Sequence, residues 1–89
     1  MTYTVEETDA VLEALAHLPI KALEGYLELR TTLELAPWGG SPYNRSNAAA
    51  ANSRTMEFAD GKGFVWYIIL EHAEDAQRRV VIVDLNWLD

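Results

Sequence analysis

The chain has 89 residues, the length of one small domain, and it has no cysteine, which excludes disulfide bonds and thiolate metal sites. Its hydrophobic (49%) and charged (24%) fractions are typical of a folded globule. The formal net charge of −7 argues against a broad nucleic-acid-binding surface, because such surfaces are usually basic. The N-terminus lacks the positive and apolar regions of a signal peptide, and no apolar run is long enough to cross a bilayer. We therefore expect a single soluble, cytoplasmic domain over residues 1–89 that has no membrane partner.

The first part of the chain predicts a short strand followed by a helix. Residues 3–5 are suited to the strand. Thr8 or Asp9 offers a side chain that can cap a helix over residues 8–17, in which apolar residues recur at helical spacing.

A second helix is predicted to follow directly. Pro19 is suited to its first position, where the missing N–H costs nothing, and Pro37 ends it near Leu35 or Ala36. Gly25 in its interior indicates a close approach to a neighbouring element, because glycine otherwise weakens a helix. The apolar residues form two adjacent stripes, which predict a wide buried face. One stripe is Ile20, Leu23 and Leu27, and the other is Tyr26, Leu29 and Leu33.

The second half of the chain predicts a long connection and a three-stranded antiparallel meander. Residues 37–53 form the connection, and segments of this length are usually functional or mobile. Three strand patterns follow at residues 54–58, 64–70 and 79–88, and a glycine-rich turn at residues 60–63 joins the first two. The predicted fold class is therefore α+β, with a short N-terminal strand and two helices packed on an antiparallel β-meander.

A strict two-residue period divides the last strand into two faces. One face holds Val81, Val83, Leu85 and Trp87, and the other holds Val80, Ile82, Asp84, Asn86 and Leu88. On this pattern Asp84 and Asn86 can line a concave site with Arg54 or Tyr67, or they can form a solvent-facing edge. Arg54 in turn can contact a phosphate, or it can pair with Asp84 or with another carboxylate on a neighbouring strand.

Other polar and aromatic residues have both a functional and a structural interpretation. The two histidines, His17 and His72, have no partner at metal-ligand spacing. Four basic residues in loops and turns can form a small anion-binding patch or simply favour solubility; they are Arg45, Lys62, Arg78 and Arg79. Trp87 and Leu88 mark a partner surface if they are exposed at the end of the chain, and otherwise belong to the core.

Nearly the whole chain resembles the RelE/ParE superfamily of toxins from toxin–antitoxin systems. The Leu18-Pro19 junction between the helices is similar to the junction usual in this family. Residues 54–61 look like its arginine-bearing strand and glycine turn, and residues 66–71 with 80–84 look like its last hairpin. The resemblance implies a RelE-like domain over residues 1–89.

The resemblance also implies a chemistry. RelE-like members are metal-independent endoribonucleases that cut mRNA in the ribosomal A site, with basic, imidazole or tyrosine groups acting in acid–base and electrostatic catalysis. ParE-like members lack those groups and inhibit gyrase. For this chain the implied catalytic set is Arg54, Arg45, Lys62, Tyr43 and His72. No cofactor is implied, and the implied partners are a cognate antitoxin and mRNA on the ribosome.

Two positions depart from the family pattern. Family members carry a catalytic arginine after the glycine turn, and the corresponding position in this chain is near Phe64 or Val65, which are apolar. They also carry a basic or aromatic group after the last strand, and that position falls within residues 86–89. One hypothesis is therefore an orphan, decayed or non-nucleolytic RelE-like protein that acts by protein interaction. The alternative is a ribosome-dependent endoribonuclease with unusual catalytic residues.

The interaction hypothesis has its own set of residues. Its partner-binding candidates are Trp87, Leu88, Asp84 and Asn86. Because the last strand has apolar residues on both faces, a homodimer is a further possible assembly. Basic or imidazole groups that converge on the concave face of the sheet would favour the enzyme, and an apolar or acidic face would favour the binding protein.

Overall fold

A computed structural model describes residues 2–42, 52–71 and 78–88 of the chain. It is a small α+β domain with two helices on a mixed sheet, so the coarse fold class predicted from the sequence is confirmed. The elements in chain order are β1 (Thr4–Glu7), α1 (Asp9–Ala16), α2 (Ile20–Leu35), β2 (Ser41–Pro42), β3 (Ser53–Phe58), β4 (Gly63–Leu70) and β5 (Arg79–Trp87). A single 3₁₀ turn at Pro37–Gly39 joins α2 to β2, within a segment where the sequence predicted only a connection.

The strands form one sheet in the order β1-β5-β4-β3-β2. The meander of β3, β4 and β5 is antiparallel, as the sequence predicted. β1 pairs with β5 in parallel, with Val5 opposite Val80, so the sheet as a whole is mixed. The two helices connect β1 to the far edge of the sheet, where the two-residue β2 pairs with β3.

The helix boundaries follow from local chemistry. The hydroxyl of Thr8 caps α1 by accepting a hydrogen bond from the N–H of Val11 at 3.4 Å. Pro19 is the N-cap residue of α2, one position earlier than predicted. Gly25 does mark a close approach, because a Cβ at this position would lie 3.1 Å from the Cβ of Ala59.

The core is a single layer between the helices and one face of the sheet. Its members from α2 are Ala22, Tyr26, Leu29 and Leu33, and its members from β4 and β5 include Val65, Tyr67, Ile69, Val80 and Ile82. The prediction of a second buried stripe on α2 is wrong, since Ile20 is 75% exposed and Leu27 is 60% exposed. A helix on a sheet buries one stripe, and burial of the next one requires a further neighbour, whereas α1 packs mainly on β5 and β1.

A bulge in β5 overturns the predicted division of that strand into two faces. Trp66 pairs with Asp84, but the next residue of β4, Tyr67, pairs with Ile82, so Val83 is an extra residue without a partner. Before the bulge Val80 and Ile82 are buried, and after it Leu85 is buried. Leu85 and Trp87 therefore share the core side with Val80 and Ile82. Asp84 and Asn86 lie on the opposite face, together with Val81.

The turn between β3 and β4 confirms the predicted hairpin. Three consecutive residues have left-handed backbone conformations, with φ values of 53° at Ala59, 58° at Asp60 and 84° at Gly61. The carbonyl oxygen of Ala59 accepts a hydrogen bond from the N–H of Lys62 at 3.2 Å. This left-handed turn brings the chain back in register with Gly63 opposite Phe58.

Candidate interaction surface

One face of the sheet carries apolar side chains and no described helix. The alternating burial of β4 directs Val65, Tyr67 and Ile69 into the core, and the intervening residues therefore project from the other face. These residues are Phe64, Trp66, Ile68 and Leu70, and all four are partly exposed. Val81 of β5 lies opposite Ile68 on the same face and is also partly exposed. We call this set of five residues the open face.

The rim of the open face is acidic rather than basic. Glu57 lies opposite Phe64, and Asp84 lies opposite Trp66; both are exposed. In the described parts of the three central strands, Arg79 is the basic residue on this side of the sheet, and its Nε is 3.4 Å from a carboxylate oxygen of Glu6. The arrangement is suited to burial against a partner with apolar and basic groups.

Arg54 lies on the helix-covered side of the sheet, opposite Tyr67 on β4. Its Nη1 donates to the carbonyl oxygens of Gly40 at 2.8 Å and Trp38 at 3.2 Å. The predicted pairing of Arg54 with Asp84 is wrong, because the bulge places Asp84 on the other face. There the Oδ1 of Asp84 accepts a hydrogen bond from the N–H of Leu85. For the same reason Asp84 and Asn86 do not share a site with Arg54 or Tyr67.

Tyr67 is fully buried beneath the 3₁₀ turn. Its hydroxyl donates to the carbonyl oxygen of Pro37 at 2.6 Å. Burial raises the pKa of Tyr67, and the nearby guanidinium of Arg54 opposes this effect. The group therefore stays protonated and serves to hold the 3₁₀ turn on the sheet.

A cluster of polar side chains surrounds Glu71 just after the end of β4. One carboxylate oxygen accepts hydrogen bonds from the hydroxyl of Tyr3 at 2.7 Å and the indole N–H of Trp38 at 3.1 Å. The other is 3.2 Å from the Nε of Arg78. The hydrogen bond from Tyr3, followed by that from Trp38, lowers the pKa of Glu71. These contacts join the 3₁₀ turn to the residues just before β1 and β5, and they give Arg78 a structural role.

A second polar cluster links β1 to α2. The Oε2 of Glu7 accepts hydrogen bonds from the hydroxyl of Tyr26 at 2.7 Å and from the Nε of Arg30 at 2.9 Å. Arg30 also donates to the carbonyl oxygen of Val5 at 2.7 Å and pairs with Glu34. Burial and the hydrogen bond to Glu7 raise the pKa of Tyr26. The pairing of Arg30 with Glu34 follows from their i,i+4 spacing in the sequence. Sequence reasoning missed the contacts of Glu7 with Tyr26 and Arg30, because these partners are distant in the chain and follow no motif.

Besides Arg54, the structure describes one more of the predicted catalytic residues, Lys62. Lys62 is exposed in the turn between β3 and β4. It lines a groove of about 520 Å³ together with Lys21, Asp60 and Trp87. Arg54 lies at the other end of β3, and four strand residues alone span about 13 Å. The structure therefore does not bring Arg54 and Lys62 into one site. Tyr43, Arg45 and His72 lie outside the described residues.

The four predicted partner-binding residues differ in exposure. The ring of Trp87 stacks on Phe58 with a centroid distance of 6.1 Å, and its buried indole N–H has no hydrogen-bond partner within the described part of the chain. Trp87 is thus at the edge of the core. Leu88 is 65% exposed, and Asp84 and Asn86 are exposed as well. The signal in the sequence that could have located the open face is the continuous apolar run of residues 64–70, because such a run places apolar side chains on both sides of a strand.

Other kinds of site find no support in residues 2–42, 52–71 and 78–88. Within these ranges no group of three or more histidine or acidic side chains is arranged to hold a metal ion. The helices described there are also too short or too polar to cross a membrane.

The comparisons with known proteins do not identify a relative. No protein-family model matches the chain, and neither a curated protein nor a solved structure shows significant similarity to it.

Proposed function

We propose that this chain is a RelE-like protein of the toxin–antitoxin type that acts by protein interaction rather than by cutting RNA. The observation that carries the proposal is the open face, which presents an apolar surface with an acidic rim instead of a basic one. A nuclease of this kind needs several basic or imidazole groups around a scissile phosphate. Among the described residues on this side of the three central strands, Arg79 is the one cation that could contact an RNA phosphate, and it is paired with Glu6.

The two predicted catalytic residues that the structure describes, Arg54 and Lys62, support the same proposal. Arg54 donates to two backbone carbonyl oxygens on the helix side, and Lys62 lies beyond the other end of β3. Family members have their catalytic arginine near the position that Phe64 or Val65 occupies here, and Phe64 is an apolar residue of the open face. The net charge of −7 also disfavours the phosphate-rich surface of a ribosome.

The partner favoured by this surface is a protein segment with apolar and basic side chains. Burial of apolar area contributes about 25 cal/mol per Å², so coverage of four large side chains supplies a substantial driving force. The acidic rim at Glu57 and Asp84 disfavours an acidic partner and favours lysine or arginine at the margin of the contact. A cognate antitoxin is the partner that the family resemblance suggests, and a second copy of the chain is the competing one.

The test combines induction of the chain in a bacterial host with site-specific photo-crosslinking. A photoreactive residue replaces Ile68 on the open face, and a matched control replaces Leu27, which is exposed on the outer side of α2. We expect no codon-phased mRNA cleavage after induction, and we expect a protein crosslink from position 68 that is absent from position 27.

Two results would overturn the proposal. Codon-phased cleavage that disappears in an Arg54→Ala variant of normal stability would establish the endoribonuclease instead. Crosslinks that are equal at positions 27 and 68, or absent from both, would remove the open face as the interaction surface. A crosslink from position 68 to the chain itself would identify the partner as a second copy.

A further inference from the structure

The outer edge of β3 is only partly covered by a neighbouring strand. β2 pairs with β3 at two positions, Ser41 with Thr55 and Pro42 with Arg54. Within the described part of the chain, residues 56–58 of β3 have no strand beside them on this side. Alternate residues of a strand direct their N–H and C=O groups to opposite sides, so at least one of these three residues presents both groups outward.

Two other positions on the described boundary of the sheet carry local blocks. On β1, the carbonyl oxygen of Val5 accepts a hydrogen bond from Arg30 at 2.7 Å, which removes it from further pairing. On β2, Pro42 has no N–H to offer another strand. Exposed strand edges are templates for pairing with another chain, and proteins usually block them by such means. Residues 56–58, which we call the free segment, carry no such block among the described residues.

Two depressions flank the free segment, one on each side of the sheet. The depression on the open-face side has a volume of about 490 Å³ and is lined by Gly39, Gly40, Ser41, Thr55, Met56, Glu57 and Phe64. The depression on the helix side has a volume of about 170 Å³, and its lining includes Glu28, Leu29, Thr32, Met56 and Phe58. An added strand would direct successive side chains alternately into the two depressions.

The lining of both depressions defines the chemistry of an occupant. Leu29, Phe58 and Phe64 supply apolar contacts, and Glu28 and Glu57 supply negative charge. Among the described residues, neither lining includes a lysine, an arginine or a histidine. Charge complementarity therefore favours a peptide segment with basic residues. The outward N–H and C=O groups of β3 favour a segment in the extended conformation.

We propose that residues 56–58 of β3 bind an extended peptide segment of a partner protein, in which lysine or arginine alternates with apolar residues, as an added strand. This inference concerns the strand edge, and it holds whether or not the open face has a partner of its own. Because the free segment is short, the contact is smaller than a standard protein interface, and binding by an isolated peptide is weak.

The test is an NMR titration of the ¹⁵N-labelled chain with a capped peptide of about seven residues, the length of an ordinary strand, in which valine alternates with lysine. We expect amide shift changes at Met56, Glu57 and Phe58, with smaller changes at Gly39 and Gly40. Two further peptides carry N-methyl groups on alternate residues, one in each frame. Only one frame should lose binding, because successive N–H groups of a strand point to opposite sides.

Charge variants complete the design. Glu57→Lys should weaken binding of the lysine peptide by about two- to fivefold, the range of an exposed ion pair, and should favour a peptide with glutamate in place of lysine. Glu13→Lys makes the same charge change on α1 and should leave binding almost unchanged. Shift changes that lie elsewhere, or equal loss of binding in both N-methyl frames, would overturn the proposal.

The same titration separates this edge from the open face. An Ile68→Ser variant should bind the peptide with unchanged affinity, because Ile68 lines neither depression. Loss of peptide binding in this variant, with the fold intact, would assign the peptide to the open face and not to the edge of β3.

Discussion

The guanidinium carbon of Arg54 lies 5.1 Å from the centroid of the Trp38 indole ring. The same side chain donates to the carbonyl oxygens of Trp38 and Gly40, so these contacts fasten the 3₁₀ turn and the residue before β2 to β3. The geometry accounts for an arginine at this position without a substrate.

Arg54→Ala is accordingly expected to destabilise the fold. The loss of two charged hydrogen bonds and a cation–π contact should lower the free energy of unfolding by about 1–3 kcal/mol. Urea denaturation followed by circular dichroism measures the change. Lys62→Ala, which removes a positive charge from an exposed turn, is the control and should stay within about 0.5 kcal/mol of the wild type. Equal stability of the two variants would contradict the structural role of Arg54.

Two adjacent glycines should respond differently to alanine. A Cβ on Gly40 would overlap the hydroxyl of Tyr67 and lie 2.7 Å from the carbonyl oxygen of Thr55, whereas a Cβ on Gly39 would meet nothing within 4 Å. We expect Gly40→Ala to lower the free energy of unfolding by about 1–3 kcal/mol through overpacking, and Gly39→Ala to be nearly neutral. Chemical denaturation of both variants is the measurement, and similar losses would refute the close contact at Gly40.

The buried hydroxyl of Tyr26 should make stability sensitive to alkaline pH. Its folded-state pKa is raised above the ordinary value of 10.0, chiefly by burial and then by the hydrogen bond to Glu7. Its contribution to stability is fully present below pH 10 and is lost as the pH rises, because the tyrosine then ionises only in the unfolded chain. Tyr26→Phe should therefore destabilise the protein at neutral pH by about 1 kcal/mol. Denaturation curves at several pH values should show this deficit shrinking above pH 10, and a constant deficit would contradict the prediction.

Glu71 should produce the opposite dependence in acid. Its folded-state pKa is lowered below the ordinary value of 4.5, first by the hydrogen bond from Tyr3. The charged form therefore stabilises the fold above pH 4.5, and this contribution is lost as the pH falls through the folded-state pKa. Glu71→Gln should have a lower melting temperature than the wild type at neutral pH, and the two curves should converge in acid. A difference that persists undiminished at about pH 2 would indicate that the charge of Glu71 is not responsible.

The elements that could be predicted from the sequence are those encoded by local pattern. The cap at Thr8, the prolines at 19 and 37 and the glycine turn after β3 each have a local physical cause, and the structure places a boundary or a turn at each of them. The meander followed from apolar runs of strand length. The parallel pairing of β1 with β5 joins residues far apart in the chain, and no local pattern encodes it.

The candidate site was harder to predict than the fold. Arg54 and Asp84 have suitable residue types for a shared site, but a single extra residue, Val83, separates them onto opposite faces. The contacts of Glu7 and Glu71 depend on where helices and strands cross. The apolar surface of β4 was visible as a continuous run, yet only the structure shows that the described helices cover one of its sides.

The bulge at Val83 also sets the rules for altering the last strand. On its N-terminal side the even-numbered positions, Val80 and Ile82, fill the core, and on its C-terminal side the odd-numbered positions, Leu85 and Trp87, do so. If substitutions followed a single odd–even pattern of buried and exposed positions along the whole strand, they would place charged residues in the core on one side of residue 83. On the other side they would place apolar residues on the surface. A redesign or a sequence alignment of β5 therefore has to treat the strand as two segments that meet at that residue.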